Sequence, residues 1–526
     1  MPMGSPTGTM HRPGSIGFML ARFFRQVLDE LKPLPDRAGG AMRITLACLL
    51  VWVVELTFRN SIADLGLILV FLLLQRNKTM TRFLSLLLII TMVVASFWIL
   101  GIACLSWNIS WLRILLWGVM FWINYYLMSR LPKASIVFML PISFAAIFCF
   151  SFDQDPNPNT IISQLGWVWC AVGLAIMAAF IVEYLFGAPT ALELLRSEVR
   201  RGLNQVENHC RKRAVGKLSP LTLGVNAGVA QDQAKMLMKF GILTSLQREN
   251  CHRILKAVGE IDRLAFEGDL SLPPDTTTHA DWLRVATRLH QLHKRLFKPV
   301  VQHSDTEHAE IGPITDPSLA GAVSELLAAE MCLKASGAVT ASGKVSEEPP
   351  APVRKDFSDA EFATRATAAT MACYMFASMT DWSGIHTCMI TCAVSAMNNV
   401  DSQVFKQRLR IIGASIGGLI GFLAMFLIPQ MDNLMGVLII MGVAVGVSAW
   451  VSMGREKYSY IGLQMGIAVV MLIAQDPHAT TEFTVIRDRL VGILLGLIAM
   501  RYAFVWWTPK YIRGLDPAPV SRLSPI

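Results

Sequence analysis

Long apolar runs broken by short polar loops fill two stretches of the chain, and a polar region separates them. The first stretch carries runs at roughly 44–59, 62–75, 83–107, 111–128, 134–152 and 163–186. The second carries them at roughly 366–380, 384–398, 409–428, 434–453, 458–474 and 485–507. A helix crosses the hydrocarbon core with about 20 apolar residues, so the pattern predicts two sets of six membrane helices. The first two runs are short for full spans and predict a tight helical hairpin turning at Asn60-Ser61.

Outside these stretches the periodicity changes. Between Ile16 and Leu31, Leu20, Phe23, Phe24, Val27 and Leu31 fall at helical spacing, with Arg22, Arg25, Asp29 and Glu30 opposite. That is the pattern of an amphipathic helix lying on the membrane surface, ended by Pro33 and Pro35. No apolar core of a cleavable signal peptide is visible in the first thirty residues. The polar region, about Thr190 to Phe357, predicts helices over 192–213, 227–267, 279–298 and 316–336 and a Ser-, Glu- and Pro-rich linker from Ser342 to Pro352. The first of these helices ends in a basic run, Arg211-Lys212-Arg213. The tail after Pro509 is expected to be disordered.

The two apolar stretches echo one another. Arg43-Ile44-Thr45 is matched by Arg365-Ala366-Thr367, Asn77 by Asn399 and Phe83 by Phe405. After a slip of one residue, Gln154-Asp155-Pro156 is matched by Gln475-Asp476-Pro477. Both stretches end in an apolar helix stopped by proline, Pro189 and Pro509. Common order and spacing signal a tandem duplication. Basic loops (Arg76, Lys78 and Arg82; Arg130 and Lys133; Lys406, Arg408 and Arg410; Arg455 and Lys457) alternate with acidic or neutral ones. The positive-inside rule puts the basic loops in the cytoplasm. Each six-span set then returns to the side where it began, so the halves are parallel, related by an axis along the membrane normal.

The expected fold is an all-α polytopic membrane protein with two parallel six-helix transmembrane repeats separated by a cytoplasmic helical domain. Its segments are 1–42 (interfacial), 43–189 (first repeat), 190–362 (cytoplasmic domain), 363–509 (second repeat) and 510–526 (tail). Both termini are placed in the cytoplasm of a bacterial inner membrane.

Composition agrees. Of 526 residues 53% are hydrophobic and 16% charged, with a mean hydropathy of +0.47; a soluble chain carries about 25% charged residues. The net charge of +9 is accounted for by the basic loops, without nucleic acid as a partner. The ten cysteines read as reduced thiols, and Cys388 and Cys392, one turn apart, as packing rather than a metal site. His290 and His293, with His279, His303 and His308 nearby, read as solvated surface histidines ahead of a metal site. Gly413, Gly417, Gly418 and Gly421 make small-xxx-small spacings suited to close helix packing. There is no Gly-x4-Gly-Lys-Ser/Thr loop, His-x-x-x-His zinc helix or activated Ser or Cys motif. The sequence therefore points to no enzyme and no cofactor.

Ionisable side chains inside apolar runs cost about 2.5–3.5 kcal/mol each on insertion scales and mark candidate functional positions. Glu55 and Arg59 are one turn apart and could pair. Asp64 follows the hairpin turn; in repeat register its counterpart is His386, and Arg59 falls opposite Asp381. Asp64, His386 and Glu55 are the proton-coupling candidates. Arg59 and Asp381, with the second pair Glu183 and Arg501 and with Asn398 and Asn399 after the eighth span, are the substrate-path candidates. For each a bland role competes: interfacial snorkelling for Arg59, a structural ion pair for Glu183 and Arg501, helix capping for the asparagines. Trp107, Trp111, Trp506 and Trp507 read as interface belts.

Arg408-Leu-Arg-x-x-Gly-x-x-x-Gly-Gly418 and the closing Arg487-Asp-Arg-Leu-Val-Gly492-x3-Gly496 helix resemble the fusaric acid resistance family, which includes bacterial aromatic carboxylic acid exporters, and Pro132-Lys-Ala-Ser135 with its following span resembles the first half of a related subfamily. The resemblance implies export of aromatic acids or other toxic organic compounds, and work by some members with a periplasmic membrane-fusion protein. The fold also resembles that of plant aluminium-activated malate channels, in which two six-span subunits pair. A homo-oligomer is among the expectations. The polar middle region matches no motif of the family. The leading expectation is a proton-driven exporter of a small organic anion embedded in the lipid bilayer. An organic-anion channel on the same fold and a non-transporting scaffold subunit are the alternatives.

Overall fold

The computed structural model describes residues 36–214, 276–296 and 355–506 apart from short breaks, and scattered positions between 253 and 326. The expected interfacial helix at 16–31, the helices at 227–267 and 316–336, the linker, the tail and His386 lie outside the described residues.

The described chain is helical. The first stretch forms α1 (Arg37–Phe58), α2 (Ala63–Leu73), α3 (Lys78–Ser106), α4 (Ser110–Arg130), α5 (Ser135–Gln154) and α6 (Pro158–Phe186). The polar region contributes α7 (Ala191–Ala214) and α8 (Thr276–Leu296). The second stretch forms α9 (Asp359–Met379), α10 (Thr387–Ser395), α11 (Val400–Leu427), α12 (Leu434–Ser452), α13 (Glu456–Ile473) and α14 (Phe483–Arg501), the last running into a π turn, Tyr502–Trp506. Six helices among the described residues are long and apolar enough to cross a membrane: α1, α3, α5, α6, α11 and α12. Shorter apolar helices run over Asp64–Leu73 and Tyr458–Ile473. Large side chains such as Phe97, Leu105, Leu419 and Val443 stay exposed on the bundle, as a lipid-facing surface requires.

Two expected boundaries are corrected. The first run is not short: α1 begins at Arg37 and has 22 residues, because Ala38-Gly39-Gly40-Ala41, weak as an apolar signal, packs closely, with Gly40 against Met453. The run placed at 409–428 begins at Val400, so Lys406, Arg408 and Arg410 are helical rather than loop residues. Of the expected hairpin only the second arm is short, 11 residues in α2 and 9 in α10.

The same helices pack in the two halves. α1 meets α2 and α6, α2 meets α6, and α5 meets α3 and α4; likewise α9 meets α10 and α14, α10 meets α14, and α13 meets α11 and α12. Between the halves α4 packs on α9 and α12 on α1, and α5 packs on α10 and α13 on α2. Local chemistry repeats too. Asn77 caps α3 by accepting from Met80 N–H at 2.7 Å, and Asn399 caps α11 by accepting from Ser402 N–H at 2.9 Å. Arg59 and Asp381, opposite each other in register, both adopt left-handed backbone, φ 52 and 48. Arg43 donates to Gly187 O, and Arg365 to Ala503 O at 2.8 Å, each tying the first helix of a half to the end of its last. α6 stops at Gly187, φ 59, a conformation glycine takes without the Cβ penalty.

Small residues bring α11 and α13 together as their spacing predicts. A Cβ on Gly413 or Gly417 would strike the α13 backbone at Ile461 or Met465, and one on Gly421 would strike Leu472. Gly418 has open space instead. On the polar side α7 packs on α8. α7 opens with a capping box, Thr190 Oγ1 accepting from Glu193 N–H while Glu193 Oε2 accepts from Thr190 N–H. His290 faces Glu207 at 3.2 Å. Among the described residues no group of three His, Cys, Asp or Glu is placed to hold a metal ion.

Candidate functional site: a charged cavity between the halves

A cavity of about 320 Å³ lies between α2 and α5 of the first half and α10, α11, α13 and α14 of the second. Its walls are mostly aliphatic, with Phe144 and methionines among them. Its charged lining residues among those described are Asp64, Arg410 and Arg489; Gln464, Thr387 and Ser143 add neutral polar groups. Local structure explains the opening. Gly413 and Gly417 pull α13 onto α11, while Gly418, with no neighbour where its Cβ would be, leaves space on the next face.

Arg410 is only 6% exposed. Its Nη2 donates to Thr391 Oγ1 at 3.1 Å and its Nη1 to Tyr460 Oη at 3.4 Å. Its Nε has no hydrogen-bond partner, and among the described residues no carboxylate pairs with it. Burying a guanidinium without a counter-ion is costly, and an apolar cavity beside it is a place where an anionic ligand would relieve that cost. Arg489 differs: Asp64 and Asp488 both lie within its electrostatic reach. Asp488 also accepts from Arg487 Nε at 2.9 Å and packs against Gly384.

Asp64 sits in the first turn of α2, where the helix dipole favours a negative charge. Glu55 is 1% exposed, packed against Gly66, with Asn60 and Asp64 beside it; its Oε1 has no hydrogen-bond partner. It is not among the cavity's lining residues.

The other sequence candidates scatter. Arg59 is exposed at the end of α1, so the expected Glu55–Arg59 pair does not form: the left-handed cap turns the chain and leaves the guanidinium outside. Asp381 is exposed at the matching turn. Glu183 is not brought to Arg501; its charged neighbours are Arg43, Arg82 and Lys78 of its own half, and Arg501 is exposed. Asn398 donates to Ser129 Oγ at 2.8 Å and to Phe357 O at 3.0 Å, and accepts from Phe357 N–H at 3.1 Å. It fastens the segment before α9 to the end of α4. Asn399 is the cap of α11. Both asparagines have structural work.

Arg410, Arg489 and Gln464 are the polar cavity-lining residues that the sequence candidates did not include. A signal for Arg410 existed. Gln403, Gln407, Arg410, Ala414, Gly417 and Gly421 fall at steps of three or four residues and form one buried stripe, so the polar start of α11 continues the glycine face inward.

A model of the fusaric acid resistance protein family matches residues 228–513. It thus takes in much of the polar middle region, which no motif had matched, and the second half. Multidrug resistance protein MdtO of Escherichia coli (strain K12) is 26% identical over 508 residues, covering 93% of this chain and 71% of that protein. Proteins of the same name from Escherichia coli O157:H7 and Shigella flexneri are each 25% identical over the same shares. No solved structure matches the chain.

Proposed function

Because the chain belongs to the fusaric acid resistance protein family, we propose that it is a secondary efflux transporter, driven by protons, that exports aromatic or other organic acids from the cytoplasm across the bacterial inner membrane. Buried Arg410, without a carboxylate partner among the described residues and lining an apolar cavity between the halves, carries this reading. The apolar wall takes the body of an amphipathic substrate and the guanidinium takes its carboxylate, a pairing for which arginine's planar fork is suited. The relatives' names, multidrug resistance proteins, support export of toxic compounds.

Proton coupling is assigned to Asp64, His386 and Glu55. Asp64 lines the cavity, and Glu55 is a buried carboxylate next to it. His386 precedes the cavity residue Thr387 in the chain. The repeated helix contacts support two parallel six-helix repeats related by an axis along the membrane normal, and the basic loops support 190–362 and both termini in the cytoplasm. A periplasmic membrane-fusion protein would carry the product onward, and a homo-oligomer is compatible with the fold.

The two cavity arginines also favour a second reading, an organic-anion channel, since anion pores are lined by cationic groups. One experiment separates the two. In an efflux-deficient bacterium, expression should raise tolerance to aromatic acids more than to cationic drugs, and an uncoupler should abolish the gain. A gain that survives the uncoupler supports the channel; no change with either class of compound contradicts both.

A further inference from the structure

We infer that Asp64, when ionised, selects substrates by charge: in that state of the cycle it neutralises Arg489, so that the cavity takes one negative charge, at Arg410. The inference rests on the organic-anion reading above and adds which anions are accepted. The cavity's charged residues among those described are two guanidiniums and one carboxylate. That leaves one positive charge in excess, at Arg410, whose other partners are the neutral hydroxyls of Thr391 and Tyr460. Of the two acids near Arg489, Asp488 is engaged with Arg487 and is not a lining residue. Asp64 is the acid that shares the cavity with Arg489.

The surroundings bear on this count. α1 presents Glu55 to Asp64. α13 adds Tyr460 and Gln464, and α5 adds Ser143. On α6 and α3, Glu183, Lys78 and Arg82 form their own group together with Arg43 of α1. Lys406, one turn before Arg410, feels its charge but does not line the cavity. A monocarboxylate neutralises the cavity with Asp64 ionised. A dicarboxylate brings a second charge against Asp64 in a site of low dielectric, where like charges repel strongly.

The repeat register sharpens the assignment. By the echo spacing, Arg410 falls opposite Leu88 and Arg489 opposite Val168, both buried in the apolar core. The first half thus supplies the acid and the second half both cations, so charge selection resides in one place rather than two.

The test compares benzoate with phthalate, one ring bearing one or two carboxylates, both fully ionised at about pH 8. Binding to the purified full chain in detergent is measured for the parent, Asp64→Asn, Asp64→Glu and the double variant Asp64→Asn/Arg489→Gln. The parent should prefer benzoate by at least about tenfold, or 1.4 kcal/mol. Asp64→Asn should gain at least about tenfold in phthalate affinity with a smaller change for benzoate, and Asp64→Glu should keep the parent ratio. The double variant, with both charges of the pair removed, should return to the parent's preference. An unchanged benzoate-to-phthalate ratio in Asp64→Asn, or a double variant that behaves like it, overturns the inference. If Asp64→Asn does not fold, the double variant decides: loss of the monoanion preference overturns the inference and its retention upholds it. A parent that binds neither compound overturns the organic-anion reading itself.

Discussion

Arg410 donates to Thr391 Oγ1 at 3.1 Å across the packing of α10 and α11, and this hydroxyl does not neutralise its charge. This charge sits at the cavity that both halves build, and in the proposed function it receives the substrate's carboxylate.

Replacing Arg410 by leucine, the residue opposite it in the first half, should therefore weaken binding of an aromatic carboxylate by about 2 kcal/mol or more, roughly 30-fold. Melting of the purified protein should not fall, because an uncompensated buried charge is removed. A variant that melts lower and binds normally would assign Arg410 to structure alone.

Gly417 seats α13 on α11, and Gly418 faces the cavity. Gly417→Leu should lower stability by about 1–3 kcal/mol through overpacking, read as a lower melting temperature. Gly418→Leu should leave melting nearly unchanged and reduce transport by occupying the cavity. The reverse order would place the cavity on the wrong face of α11.

Asn399→Ala should cost about 1 kcal/mol of stability, the usual loss of a helix cap, with Asn399→Asp close to the parent. Neither should shift the order of preference among transported compounds. A changed substrate order would support Asn399 as a substrate-path residue.

These contrasts mark what the sequence makes legible. The helical membrane class, the run order and the Asn77/Asn399 register are readable because apolar length and capping chemistry are local properties. The left-handed turns at Arg59 and Asp381 fall where the echo pairs those residues. Charge in the cavity was harder to read. Lys406, Arg408 and Arg410 look like a basic loop when counted by type, and only the helical step from Gln403 to Gly421 turns Arg410 inward. Glu183 and Arg501 are close in repeat register, yet register carries no information about distance between halves, and Glu183 sits with Arg43, Arg82 and Lys78 instead.

The proposed orientation, with the polar region in the cytoplasm, rests on the charge of the loops. Reporter fusions after Lys217 should report the cytoplasm. A periplasmic signal there would invert the assignment of the polar region and of every loop.

Accumulation of labelled benzoate in proteoliposomes under an imposed proton gradient tests the central claim most directly. Parent protein should drive benzoate against its concentration gradient, in the direction opposite to proton flow, and Arg410→Leu should not. Benzoate that only equilibrates, or that accumulates equally with Arg410→Leu, would contradict a proton-driven anion exporter working through this cavity.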